Sequence, residues 1–205
     1  MGKNIYCFVD SSNLFYGGAG RLNWKIDYEK LYRYFKKKYR VKKVFYYTGI
    51  ETHGFGVELR STQPYPAKDL LKYLNNLYRK EKDNKKRDLL KKDIARIRFL
   101  VKIKSFGYIL RLKPIKHIRT REGGVKSKAN CDVDLTFDAI RLEKEYSGIV
   151  LLSGDGDFEI LLKYFREKGK SVVIIANAKN TARSIKENYT NEFRDFEEIR
   201  NIIEK

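Results

Sequence analysis

A chain of 205 residues, 42% hydrophobic and 14% aromatic, has enough apolar surface for one ordinary core, which excludes wholesale disorder. No apolar run approaches the roughly 20 residues that span a bilayer. The five apolar residues ahead of Asp10 are too few for a secretory leader, and two cysteines make no disulfide framework. A cytoplasmic protein without a membrane partner is therefore expected. Forty-five Lys and Arg against 26 Asp and Glu leave a formal charge of +19, which favours polyanions, nucleic acid before an acidic lipid surface.

The excess is local. Residues 79–128 hold 19 Lys and Arg against five Asp and Glu, a surplus of 14 in one quarter of the chain.

Residues 4–9 read as a buried strand cut off by Asp10, and the Ser-, Asn- and Gly-rich stretch 11–23 as loop. Asp27 is a candidate N-cap for a helix over 28–39 with an apolar stripe of Leu31, Tyr34, Phe35 and Tyr39. A second strand is expected over 43–48, closed by Gly49. Two helical stretches follow over 67–106, broken near Asp83-Asn84, with Leu70, Leu71, Leu74 and Leu77 and then Leu90, Ile94, Ile97, Leu100 and Val101 at helical spacing. A third strand covers 108–112, and residues 115–119 extend it or form a small hairpin. Residues 121–129, around Gly123-Gly124, read as a flexible basic loop. A helix over 132–146, a strand over 149–153, a helix over 157–168, a strand over 171–176 and short helices over 180–203 complete the chain. Strands alternating with helices imply parallel pairing and an α/β fold in a single domain, 1–205, with a basic helical elaboration at 67–106.

In an open parallel sheet, ligands gather beyond the carboxyl ends of the strands. Two apolar strands here run directly into acids: the first into Asp10-Ser11-Ser12-Asn13, the fourth into Ser153-Gly154-Asp155-Gly156-Asp157. A third acidic group, Asp132-Val133-Asp134, opens a helix. Asp132 or Asp157 singly is an ordinary helix-terminal acid. As a set they differ, because a carboxylate beside an apolar strand is costly, and converging carboxylates need protonation or a cation. Hard oxygen donors point to Mg2+ or Mn2+, and such an ion beside a basic surface suggests phosphodiester hydrolysis.

The segments Phe8-Val9-Asp10-Ser11-Ser12-Asn13, Lys128-Ala129-Asn130-Cys131-Asp132-Val133-Asp134-Leu135 and Leu152-Ser153-Gly154-Asp155-Gly156-Asp157-Phe158 resemble the three signature segments of the NYN family, in its LabA-like branch, within the PIN-like nuclease superfamily. The resemblance covers nearly the whole chain. It implies a Rossmann-like three-layer sandwich around a mainly parallel five-stranded sheet ordered 3-2-1-4-5. It also implies a metal-dependent ribonuclease, with Asp10, Asp132 and Asp155 as core acids and Asp157 as an auxiliary one, all four catalytic and metal-holding. Asn13 and Ser153 are expected to orient the acids. Asp134 is placed with them, although a helix starting at 132 turns it about 200° away from Asp132. Asp138 is expected to be a surface charge or helix-face contact. Where the family usually carries Gly, this chain has Asn130-Cys131.

Arg119, Arg121, Lys126 and Lys128 are candidates for a phosphate clamp, so the expected partner is RNA, single-stranded or structured, with DNA as an alternative. Tyr73 and Tyr78 suit base stacking or the flank of a helix. His53 and His117 have no Cys or His partner at zinc spacing. A metal-dependent adhesion site would need a ligand where Leu14 stands. The rival outside catalysis is a nucleic-acid-binding domain that keeps the acids without cutting. The apolar stripes of residues 70–101 also suit a homodimer.

Overall fold

The computed structural model describes residues 4–14, 22–56, 64–120 and 123–205. The chain divides into two compact units, Met1–Tyr47 with Cys131–Lys205, and Thr48–Asn130.

The first unit is built on β1 (Ile5–Asp10), which pairs in parallel with β2 (Val41–Ile50) on one side and with β6 (Gly148–Leu152) on the other. From Tyr6 to Asp10 successive side chains of β1 are buried on both faces of the sheet, which is why β1 reads as a continuous apolar run. The sheet continues in parallel through β7 (Ser171–Ala176) to β8 (Phe193–Asp195). Helix α1 (Tyr28–Tyr39) connects β1 to β2, capped by Asp27, whose side chain accepts the backbone N–H groups of Glu29 and Lys30. Helices α4 (Cys131–Arg141) and α5 (Glu159–Glu167) precede and follow β6. The short α6 (Arg183–Asn188) and α7 (Arg200–Ile203) end the unit.

Alternation along β1 sorts its side chains. Tyr6, Phe8 and Asp10 share one face. Phe8 stacks on its register partner Phe45 at 5.3 Å and meets Tyr146 at 5.9 Å. Asp10 is thus the carboxylate that ends an aromatic row, and it is 3% exposed.

In the second unit, α2 (Ala67–Lys80) and α3 (Asn84–Ser105) pack together through Leu70, Leu74, Leu90, Ile94, Ile97 and Leu100. Asp83 caps α3, accepting Lys86 N–H at 2.8 Å, which explains the expected break. Tyr73 donates to the carbonyl of His53, and Arg87 lies 4.4 Å from the Tyr78 ring, so both tyrosines have partners inside the unit. Strand β3 (Tyr108–Pro114) follows α3, and β4 (Lys116–Arg119) pairs antiparallel with β5 (Val125–Lys128) as a separate two-stranded ribbon.

Three expectations are corrected. The central sheet has six strands, ordered β3-β2-β1-β6-β7-β8, rather than five. The familiar order persists, with one added edge strand at residues read as helical. That strand, β8, is three residues long, too short to show a period. The basic segment 121–129 contains a strand, β5, whose register against β4 no apolar pattern announces. Strand β2 runs through Gly49 to Ile50 instead of closing at Gly49. No helix is long and apolar enough to cross a membrane among the described residues.

Candidate active site

The strand order places the topological switch between β1 and β6: the chain winds outward from β1 on one side, then returns to pair β6 on the other. The crevice beyond the carboxyl ends of these two strands is where an open α/β sheet binds ligands. Asp10 ends β1 there, and Ser153-Gly154-Asp155 leaves β6 at the same edge.

Asp10 is held closely. Its Oδ1 accepts the Ser12 N–H at 2.9 Å, and its Oδ2 accepts the Ser153 hydroxyl at 3.2 Å. Burial nevertheless pushes its pKa up to about 6, with the negative charge of Asp132 as the second cause, and the Asn13 and Ser12 N–H groups and the Ser153 hydroxyl opposing. Asp132 stands in the first turn of α4, which packs on β1.

The same hydrogen bonds tie the two loops together. Asn13 Oδ1 accepts the Gly154 N–H at 3.0 Å, and the Asp155 N–H donates to Ser153 Oγ at 3.3 Å. Asp155 Oδ1 accepts the Asp157 N–H at 3.0 Å, capping the 3-10 turn Gly156–Phe158. A hydrogen-bonded chain therefore runs from Asp10 through Ser153 to Asp155 and Asp157. Gly154 is required by space: a Cβ there would lie 2.5 Å from Thr181 Oγ1 and 2.9 Å from Thr181 Cα.

The expected residues separate accordingly. Asp10 and Asp132 interact electrostatically, and Asn13 and Ser153 bind the loops that carry the acids. Asp155 is half-buried, Asp157 is exposed, and Asp134 is half-buried on α4. Among the described residues, no three His, Cys, Asp or Glu side chains are gathered as a metal cage. Arg119 and Lys128 lie on the β4–β5 ribbon, Lys126 is placed there by its backbone, and Arg121 is outside the described residues. His53 bonds Asp93, and His117 bonds Glu51 and Ser127.

Of the two expectations for Asp138, the structure shows the helix-face contact. Asp138 is 6% exposed, accepts the Tyr47 hydroxyl at 3.0 Å and receives Arg141 at 2.6 Å. An acid at this position of an amphipathic helix leaves both open until the tyrosine of β2 is seen opposite it. Sequence reasoning also missed Thr181, whose only signal is a glycine at 154 that no turn demands. Asn130, two residues before Asp132, has a buried side-chain oxygen with no hydrogen-bond partner among the described residues. Such an atom calls for a donor, water or ion.

The donor set at Asp10 and Asp132 is hard oxygen. Mg2+ is commonly held by one or two carboxylates, with substrate phosphates and waters supplying the rest. A pair fits that pattern, and a four-acid cage is not needed for it.

A family model described as the NYN domain matches residues 4–197. The chain is 33% identical over 103 residues to the Low amplitude and bright protein LabA of Synechococcus elongatus, covering 49% of this chain and 55% of that protein. The match thus spans about half the length of the curated relative. A solved structure of a Vibrio parahaemolyticus protein of unknown function has a TM-score of 0.60 at 20% identity, covering 95% of this chain and 93% of the other, a likeness of fold alone. A structure of the T5 D15 protein co-crystallised with metal ions has a TM-score of 0.45 at 11% identity over 91% of this chain and 60% of the other, too loose to carry fold or chemistry across.

Proposed function

The chain belongs to the NYN domain family, and from that premise we propose that it is a divalent-metal-dependent ribonuclease, cutting RNA phosphodiester bonds at the β1–β6 edge. The observation that carries this reading is the buried Asp10 carboxylate, costly in its apolar setting and made costlier by Asp132. Two carboxylates that raise each other's energy at a switch-point crevice are poised for a cation.

Asp10 and Asp132 would hold a Mg2+ or Mn2+ ion, which supplies Lewis-acid polarisation of the scissile phosphodiester when bound. Ser12, Asn13 and Ser153 keep the Asp10 carboxylate oriented through the bonds described above. Asp155, fixed by its own cap to the Asp157 N–H, would accept a proton from an attacking water, and Asp157 is exposed to solvent beside it.

The β4–β5 ribbon supports a nucleic-acid partner. Its register sets Lys116 directly opposite Lys128, and Arg119 extends the charge. Like charges opposite each other destabilise a strand pair unless an anion lies between them. One observation favours a second reading, binding without cutting: no three acids are gathered among the described residues.

Labelled single- and double-stranded RNA and DNA, incubated with Mn2+, Mg2+ or EDTA, test the proposal. Cleavage of RNA that EDTA abolishes is expected. Retention of intact RNA on the protein in every metal condition would replace the nuclease by the binding domain.

A further inference from the structure

Away from the acids, α1 brings Lys30, Arg33, Tyr34, Lys37 and Lys38 to one side at the i, i+3, i+4, i+7, i+8 spacing of a helical face. With Ile202 of α7 they line an open cleft of about 580 Å³ within the first unit. Four of these six side chains are cationic.

Their charge is matched only in part, at Arg33 and Lys30. Arg33 pairs with Glu29. The Lys30 ammonium donates to the Glu204 carbonyl at 2.8 Å, and the Glu204 carboxylate, bound by Arg200 at 3.1 Å, also feels the Lys30 charge. Lys37 and Lys38 make no ion pair among the described residues. The negative end of the helix dipole favours cations at Lys37 and Lys38, but it does not reach Lys30 and Arg33. Cations three and four apart on one helix repel, so the stripe costs stability that a bound polyanion returns. The floor of the cleft is apolar: Tyr34 is buried, and Ile202 is 51% exposed. Cations around an apolar floor match a nucleotide chain, with phosphates for the ammonium groups and a sugar or base face for Ile202.

We propose that this cleft binds the sugar-phosphate backbone of a nucleic-acid strand as a second contact, apart from the acids. The inference rests on the nucleic-acid reading above and adds the place where a strand is gripped. Helix α1 ends at Tyr39, just before β2 begins at Val41, and β2 runs parallel to β1. Lys37 and Lys38 therefore stand at the edge of the sheet opposite Asp10. Six residues of strand separate the two edges by about 20 Å, or about six nucleotides at 3.4 Å per step along a strand. A long strand can touch both places at once.

The test uses the full chain in EDTA, so that binding is read without cleavage. Affinity for a labelled 30-nucleotide RNA is measured across a salt series for the wild type, Lys37→Glu/Lys38→Glu and the milder Lys37→Gln/Lys38→Gln, with melting curves to verify folding. Both variants are expected to bind about tenfold more weakly at low salt, with the salt slope reduced by about 1.4, or 0.7 for each lost phosphate contact on a single strand. Wild-type affinity and slope in folded variants would overturn the cleft while leaving the nuclease reading intact. Failure of the wild type to bind or cut any nucleic acid would overturn both. Phosphatidylserine vesicles form a second arm. Loss of vesicle binding in the variants, with RNA binding unchanged, would overturn the proposal in favour of a lipid surface.

Discussion

The Tyr47 hydroxyl donates to Asp138 Oδ2 at 3.0 Å, while Tyr47 is itself the register partner of Asp10 on the neighbouring strand. One residue of β2 thus touches the strand that carries the buried acid and anchors the helix that carries Asp132. Asp138 and Asp132 share α4, so the bond fixes how that helix lies against β1.

Tyr47→Phe should deprive the buried Asp138 carboxylate of a hydrogen-bond donor. Loss of such a bond costs about 1–3 kcal/mol. Denaturant unfolding should register that loss, and activity should fall with it because α4 loosens. An unchanged unfolding midpoint would show that the bond does not hold the helix.

Asp10 carries a pH signature. Its pKa lies near 6 in the folded chain against 3.8 for an ordinary aspartate. The folded state therefore holds its proton more tightly, so the contribution of Asp10 to stability is full below pH 4 and is lost as pH rises through 6. At pH 7 the charged carboxylate costs about 3 kcal/mol. Asp10→Asn should be more stable than wild type at pH 7, by an amount that shrinks towards pH 4, and should be inactive. Mn2+ should raise the melting temperature of the wild type and not of the variant. A variant less stable than wild type at every pH would contradict the assignment.

The ribbon separates stability from binding. Lys116→Glu puts opposite charges across from each other at the Lys116–Lys128 pair, which should stabilise the pair by about 0.2–1 kcal/mol. The same change should weaken RNA affinity and flatten its salt dependence. Tighter RNA binding by the variant would remove the ribbon from the interface.

Gly154→Ala should strain the β6 loop, since the added methyl meets the Thr181 backbone Cα at 2.9 Å. Forced overpacking of this kind costs about 1–3 kcal/mol. Because Gly154 N–H is the donor to Asn13, activity should drop more than stability. Wild-type stability and turnover would show that the loop adjusts freely.

Much of this was legible beforehand. The apolar run of β1 ending in Asp10, the capped start of α1 at Asp27 and the break at Asp83 follow from local chemistry, and the chain order of strands and helices follows from them. What local pattern does not encode is pairing across distance. Strand β5 has lysines where a core strand has apolar residues, so only its register with β4 reveals it. Asp138 leaves a surface charge and a helix-face contact equally open, because its tyrosine partner lies 91 residues away. The cation stripe of α1 has helical spacing in the sequence, but the apolar floor at Ile202 belongs to the other end of the chain.

The most direct test of the central claim compares the wild type with Asp155→Asn on the labelled RNA that the wild type cuts best, in saturating Mn2+, with binding recorded alongside cleavage. The account predicts that the variant binds the RNA as the wild type does and fails to cut it. Equal cleavage by the two proteins would contradict the role of the acid that follows β6, and with it the nuclease site at this edge of the sheet.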